Sequence, residues 1–299
     1  MSKDELYNNL LSEINAKVRF LKDKPEETAE STLKALWLAA SGRYMSAEAA
    51  AAEELPELDA DEVKKLAELI DERVNNVPLA YITGRQRFMG VEMLADKRAL
   101  IPRKETEILG RKALELSKQI TENIKPALVI DTCCGAGNLG LALAELNPHI
   151  KVFATDLSHE AVQLTVDNIQ LLGLSDSVNA VQGDFLSAFE NEDYYEKVDM
   201  IVCNPPYITS AKVKKMDEEI ASNEPELAFD GGMLGVKLIQ KLISESPRFL
   251  KKGGWVTFEI GLGQGPFVLK FMEKSDKFKN IGTASDADGN VRTIFAQKA

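Results

Sequence analysis

The stretch Ala127-Leu128-Val129-Ile130-Asp131-Thr132-Cys133-Cys134-Gly135-Ala136-Gly137-Asn138-Leu139-Gly140 reads as a strand, a glycine-bearing turn and the first turn of a helix. Four apolar residues closed by an acid are too short a run for a helix and suit a buried strand. Gly135 and Gly137 let a ligand approach the backbone closely. The helix that follows, 138–146, offers free N–H groups to a carboxylate or a phosphate. Such turns are widespread in α/β proteins, and dinucleotide binding is a competing reading of this unit taken alone.

The units downstream repeat the pattern. Residues 151–156 form a second strand that ends in Asp156, about twenty residues beyond the glycine turn, where a carboxylate accepts both hydroxyls of an unphosphorylated ribose. Ser158 is a fitting N-cap for a helix over 159–172 that closes at Gly173. A third strand, 179–182, runs into Gly183-Asp184-Phe185, where Asp184 can accept from an adenine amine and Phe185 can stack on the ring; an ordinary turn is the plain reading of Asp184 by itself. A fourth, Val198-Asp199-Met200-Ile201-Val202-Cys203, stops at Asn204-Pro205-Pro206-Tyr207. Ligands bind at the carboxyl ends of parallel strands, so these four strand ends converge on one crevice.

The two prolines fix their own φ and donate nothing, so the Asn204 side chain and the Pro205 carbonyl form a rigid pair of acceptors beside the flat ring of Tyr207. A planar NH2 group that gives one hydrogen to each acceptor is held with its nitrogen facing an electrophile. Without its neighbours, Asn-Pro-Pro reads equally well as a turn.

Composition narrows the classes. The 299 residues suggest roughly two domains. Lys and Arg number 36 against 47 acids, and the net charge of -11 repels bare nucleic acid. No apolar run approaches the ~18 residues of a membrane span, and the polar start has no leader character, so a cytoplasmic protein is expected. Three cysteines make no disulfide framework, and two histidines make no zinc site, so no metal is expected. Leu6, Leu10, Ile14 and Val18, then Leu33, Leu36, Trp37 and Ala40, then Val63, Leu66, Ile70 and Val74 recur at helical spacing. Residues 1–77 therefore read as a small helical domain, 78–102 as short strands and turns, and 103–299 as alternating strands and helices with a closing hairpin over 278–284 and 291–297. Lys251-Lys252-Gly253-Gly254 reads as a turn; the charged segment 212–220 reads as a mobile flank of the site that closes on a substrate or, more plainly, as a solvated face; and an exposed helix start is one reading of Glu105 and Glu107.

With these residues in hand, the sequence resembles a known family. The order of Asp131 to Gly137, Asp156, Gly183-Asp184-Phe185 and Asn204-Pro205-Pro206-Tyr207 is similar to that of class I S-adenosylmethionine methyltransferases that act on amino groups. Pro78-Leu79-Ala80-Tyr81-Ile82-Thr83-Gly84, Ile101-Pro102-Arg103-Lys104-Glu105-Thr106-Glu107, Glu224-Pro225-Glu226-Leu227-Ala228-Phe229-Asp230-Gly231-Gly232 and Asp288-Gly289-Asn290-Val291-Arg292 resemble motifs of the HemK/PrmC group, from about residue 26 to the end. Lys104, where the family has proline, and Cys133-Cys134 depart from the pattern; Arg103, Glu105, Thr106 and Glu107 lie on a segment that the resemblance places at the border of the cofactor pocket. The resemblance implies a Rossmann-like, seven-stranded, mostly parallel sheet with a helical N-terminal domain and a hairpin linker. It implies S-adenosyl-L-methionine bound by Asp131, Cys133, Cys134, Gly135, Ala136, Gly137, Asp156, Asp184, Phe185 and Asn204. It also implies methyl transfer to the glutamine amide of the Gly-Gly-Gln loop of peptide-chain release factors, with Asn204, Pro205, Pro206 and Tyr207 as catalytic residues; a monomer is expected, and the net charge argues against direct nucleic acid binding. The same chemistry on adenine or another protein amide, and a non-catalytic cofactor-binding module, are the alternatives.

Overall fold

The computed structural model describes residues 2–213, 216–232 and 235–299. Lys214 and Lys215 of the charged flank, and Leu234, expected to begin a helical stripe, lie outside the described residues. Four helices come first: α1 (Lys3–Lys17), α2 (Ala29–Ala40), α3 (Ala47–Ala50) and α4 (Ala60–Val74). Ser2, Thr28 and Asp59 each accept from the backbone N–H three residues on and close capping boxes, so the sequence marks where three of these helices start. Ile14, Leu33, Leu36, Trp37, Leu66 and Ile70 interlock into a core of their own, as the stripes predicted.

The segment that follows differs from its reading. Residues 79–83, expected as strand and turn, form a short helix α5 (Leu79–Thr83) ended by Gly84 at φ 66°. Only β1 (Arg85–Phe88) and β2 (Val91–Leu94) pair as a hairpin, and 99–102 contain no strand. The rest is α6 (Glu107–Thr121), β3 (Ala127–Thr132), α7 (Asn138–Leu146), β4 (Ile150–Asp156), α8 (His159–Leu172), β5 (Val178–Gln182), β6 (Val198–Cys203), α9 (Ser210–Val213), α10 (Glu218–Asn223), α11 (Lys237–Phe249), β7 (Leu250–Glu259), α12 (Gly265–Glu273), β8 (Phe278–Ser285) and β9 (Val291–Lys298). Lys251 to Gly254 are not a turn but part of β7, where the register against β6 jumps from Val198↔Leu250 to Met200↔Trp255.

The seven strands lie in the order β5-β4-β3-β6-β7-β9-β8, parallel except for β9, which runs antiparallel to both neighbours. Strand periodicity sends β6 side chains to two cores. Met200 and Val202 pack with Leu109, Ala113, Leu139 and Ile169 on one face, and Ile201 and Cys203 with Ile239, Leu242, Val268 and Met272 on the other. All six β6 residues are buried, as a central strand covered on both faces requires.

Candidate active site at the strand ends

The carboxyl ends of β3, β4, β5 and β6 open into one pocket. Its walls include Cys133, Cys134, Gly135, Asn138, Asp156, Asp184, Phe185, Asn204 and Pro206. A second stretch of chain covers it from outside, with Pro225, Leu227, Ala228 and Asp230 on the wall.

After β3 the chain turns sharply. Cys133 and Gly135 take φ of 59° and 56°, and Gly137, the N-cap of α7, takes 82°. A side chain on Gly137 would strike Leu141 and Thr165 at 2.8 Å. No side chain caps α7, so its first N–H groups at Asn138 and Leu139 stand at the pocket wall, ready for an anion. Asp156 holds this turn to β4: its Oδ2 accepts from the Gly135 N–H at 2.9 Å and its Oδ1 from the Ser158 N–H at 3.0 Å. Burial raises its pKa against those hydrogen bonds.

Asp131 lies elsewhere than expected. It is fully buried behind the turn and does not line the pocket; Oδ2 accepts from the Gly140 N–H at 2.8 Å, and Oδ1 has no partner among the described residues. Burial pushes its pKa up to about 7. A Cβ on Gly140 would meet Asp131 Oδ2 at 2.9 Å, so that glycine is what lets the helix sit on the carboxylate. Ala136 and Gly137 are likewise behind the wall, and Cys134 is 3% exposed with its Sγ 3.6 Å from Thr165 Oγ1. Asp184 is exposed and pairs with Lys241 at 3.0 Å. Phe185 borders the pocket but is 4% exposed, packed into the core with the Lys241 ammonium 5.3 Å from its ring centre. Little of the ring is open for stacking.

At the end of β6, Asn204 Nδ2 donates to Thr106 Oγ1 at 3.2 Å, which leaves Oδ1 as the free acceptor of a side chain on the pocket wall. Pro205 is buried, and its carbonyl accepts no hydrogen bond among the described residues. Tyr207 does not form the flat wall expected of it. Its hydroxyl turns away into a charged cluster, 2.7 Å from Glu259 Oε1 and 3.2 Å from Glu105 Oε1. Arg292 of β9 completes the cluster, 2.7 Å from Glu105 and 3.6 Å from Glu259. Burial, with Glu105 adding, pushes Glu259 up to about 7. Gln264 Nε2 donates to the Tyr207 carbonyl at 3.0 Å. Sequence reasoning missed Thr106, Glu259 and Gln264 as supports of this loop; only Thr106 lay in a stretch it had singled out.

The departures from the family pattern have simple outcomes. Lys104 does not line the pocket; it pairs with Glu48 and Glu107, bridging α3 and α6. Glu107 is not an exposed helix start but 5% exposed, accepting from the Met89 N–H at 3.0 Å. Among the described residues no group of three or more His, Cys, Asp or Glu could hold a metal ion, and no helix is long and apolar enough to cross a membrane.

S-adenosylmethionine fits these residues. An uncapped helix N-terminus suits its carboxylate, Asp156 its ribose hydroxyls, and the apolar sides of Leu139, Ala161 and Phe185 its base.

Residues 113–237 match the methyltransferase small domain, and residues 16–84 match the PrmC N-terminal domain. The release factor glutamine methyltransferase of Clostridium acetobutylicum is 32% identical over 240 residues, 80% of this chain and 82% of that one. That of Moorella thermoacetica is 33% identical over 229 residues, 77% of this chain and 78% of its own. Among solved structures, a human methyltransferase 10 domain containing protein aligns over 69% of this chain and 88% of its own with a TM-score of 0.50; at 17% identity this speaks to the fold alone.

Proposed function

The chain belongs to the release factor glutamine methyltransferases, and from that premise we propose how its pocket does the work. The enzyme uses S-adenosyl-L-methionine to methylate the side-chain amide nitrogen of the glutamine in the Gly-Gly-Gln motif of peptide-chain release factors. When bound, the cofactor supplies a methyl group already activated by a sulfonium, so the protein need not activate it further.

What the protein must overcome lies in the acceptor. An amide nitrogen has a delocalised lone pair and is a poor nucleophile. Asn204 Oδ1 and the Pro205 carbonyl accept its two hydrogens, hold the nitrogen with its lone pair toward the pocket, and stabilise the positive charge that grows there. The proton leaves to water once the nitrogen is cationic. Pro205 and Pro206 keep the two acceptors rigid, and Tyr207 anchors the loop through its hydroxyl rather than stacking on the substrate. Asp156, Gly135, Cys133 and the α7 N-terminus hold the cofactor; Asp131, Ala136 and Gly137 act on it only by shaping the turn. Asp184 and Phe185 border the base.

The observation that carries this reading is the commitment of Asn204 Nδ2 to Thr106, which fixes the amide with its acceptor free. We assign the helical unit, 1–77, to docking the release factor, in a cytoplasmic monomer whose charge of -11 disfavours bare nucleic acid. The test is mass spectrometry of release factors incubated with enzyme and S-adenosylmethionine. One methyl on the Gly-Gly-Gln glutamine is expected, and a methyl elsewhere or none refutes the assignment.

A further inference from the structure

Four buried charges join the helical unit to the chain that covers the pocket. Lys24 Nζ and Arg73 reach Glu219 at 2.7 and 2.8 Å, and Arg73 also reaches Glu27 at 3.1 Å. All four residues are at most 4% exposed. Glu219 stands on α10, in the segment read from sequence as a mobile flank of the site or, more plainly, a solvated face. Burial pushes its carboxyl up, yet Lys24 and Arg73 outweigh that and hold it below its ordinary range. At the far end of α10, Asn223 donates to the Asn76 carbonyl at 3.1 Å, and the buried Glu224 pairs with Arg103 and accepts from the Ile101 N–H at 3.0 Å. Leu21 packs on Ile220 and Phe229 between them.

From α10 the chain runs straight onto the pocket wall at Pro225, Leu227, Ala228 and Asp230. It then pairs with the residue after the catalytic tetrapeptide: Ile208 N–H donates to the Phe229 carbonyl at 3.0 Å, and the Gly231 N–H to the Ile208 carbonyl at 2.8 Å. A Cβ on Gly231 would lie 2.6 Å from the Pro206 carbonyl oxygen. The strap over 217–231 thus has one end locked to α4 and the α1–α2 connection and the other laid against the acceptor loop.

We infer that Lys24 and Arg73 are positioning residues for methyl transfer: through Glu219 they hold the strap as the outer wall of the cofactor pocket, so the helical unit builds the active site as well as docking the substrate. This rests on the pocket being the S-adenosylmethionine site. A buried carboxylate stripped of both cations is drawn toward water, and α10 with it. The strap then leaves the pocket open and its pairing with Ile208 unsupported. Removing residues 1–77 would have the same effect, although none of the pocket residues lies there.

The test uses the full chain. Calorimetry with S-adenosylhomocysteine on the wild type checks the pocket reading, and the variants check this inference. The double substitution Lys24→Met with Arg73→Met should raise the dissociation constant at least tenfold and lower kcat, well below the melting temperature of the variant. Ile14→Ala, which loosens the same helical core away from the strap, should lower the melting temperature and leave the dissociation constant within twofold. Equal binding by wild type and double variant, or equal weakening by Ile14→Ala, overturns the inference. Should the double variant not fold, hydrogen exchange on the wild type decides. Ligand must slow the amides of 218–224 and of 70–77 together, and protection confined to 225–231 overturns it.

Discussion

Asp131 offers a sharp test because its carboxyl is raised by burial and one of its oxygens has no partner among the described residues. Asp131→Asn keeps the shape and the acceptor for the Gly140 N–H, and removes the titration. The unfolded value is 3.8 and the folded value about 7, so the folded state binds the proton more tightly. Stability from this group is full below the unfolded pKa and is lost as pH rises through the folded one. At about pH 5 the wild type has lost part of this stability, and by about pH 8 nearly all of it. The asparagine variant carries a fixed cost for its buried NH2, about 1 to 3 kcal/mol, which does not change with pH. The stability difference between the two proteins should therefore move by roughly 2 to 3 kcal/mol in favour of the variant between those two pH values. Urea unfolding read by tryptophan fluorescence measures it, with Trp37 in the helical core and Trp255 in the sheet also reporting whether the two units unfold together. Parallel stability curves for the two proteins over this range would show that burial does not govern the Asp131 carboxyl.

Asp156→Ala should weaken S-adenosylhomocysteine binding by about tenfold to a hundredfold, the worth of charge-assisted bonds of about 1.5 to 3 kcal/mol, and calorimetry on a folded variant showing unchanged affinity removes it from the site. Asn204→Ala should cut turnover on the order of a hundredfold with little change in cofactor affinity; activity within about threefold of wild type would end the two-acceptor mechanism. Thr106→Val removes the group that holds the Asn204 amide, and a loss of about 1 kcal/mol, roughly fivefold in kcat with cofactor affinity intact, is the expected result in steady-state assays. An unchanged kcat there would mean that Asn204 is oriented by something else.

The strand ends were legible because each is written locally. A short apolar run, a glycine or a proline, and a polar residue at the break are enough to place Asp156, Asp184 and Asn204 on one edge of a sheet. Helix caps such as Ser158 and Gly173 are equally local, and α8 starts and stops where they stand. What sequence could not show is which way a side chain turns once the edge is built. Asp131 looks inward because Gly140 leaves room above it, and the Tyr207 hydroxyl turns away from the pocket toward Glu259, 52 residues further along. Residues 217–220, the first part of the strap, read more plainly as a solvated face than as a flank of the site for a related reason. Glu219 meets Arg73 across 146 residues, and neither has a neighbour in sequence that betrays the other. A charged stretch on its own is indistinguishable from a solvated one.

Strand β9 occupies an interior slot between β7 and β8, although it follows both in the chain. Until it enters, β7 and β8 each present an unpaired edge to the solvent, and Trp255, Phe258 and Ile260 lack part of their cover. Arg292 travels with it, so the charged cluster beneath Tyr207 is closed by whichever event seats β9. Non-local pairing of this kind is slow compared with helix formation. During refolding, the crevice formed by β3, β4 and β6 should therefore recover its affinity for S-adenosylhomocysteine before the acceptor loop recovers its rigidity, and the interval between them is the time in which the nascent sheet is open to joining another chain edge to edge.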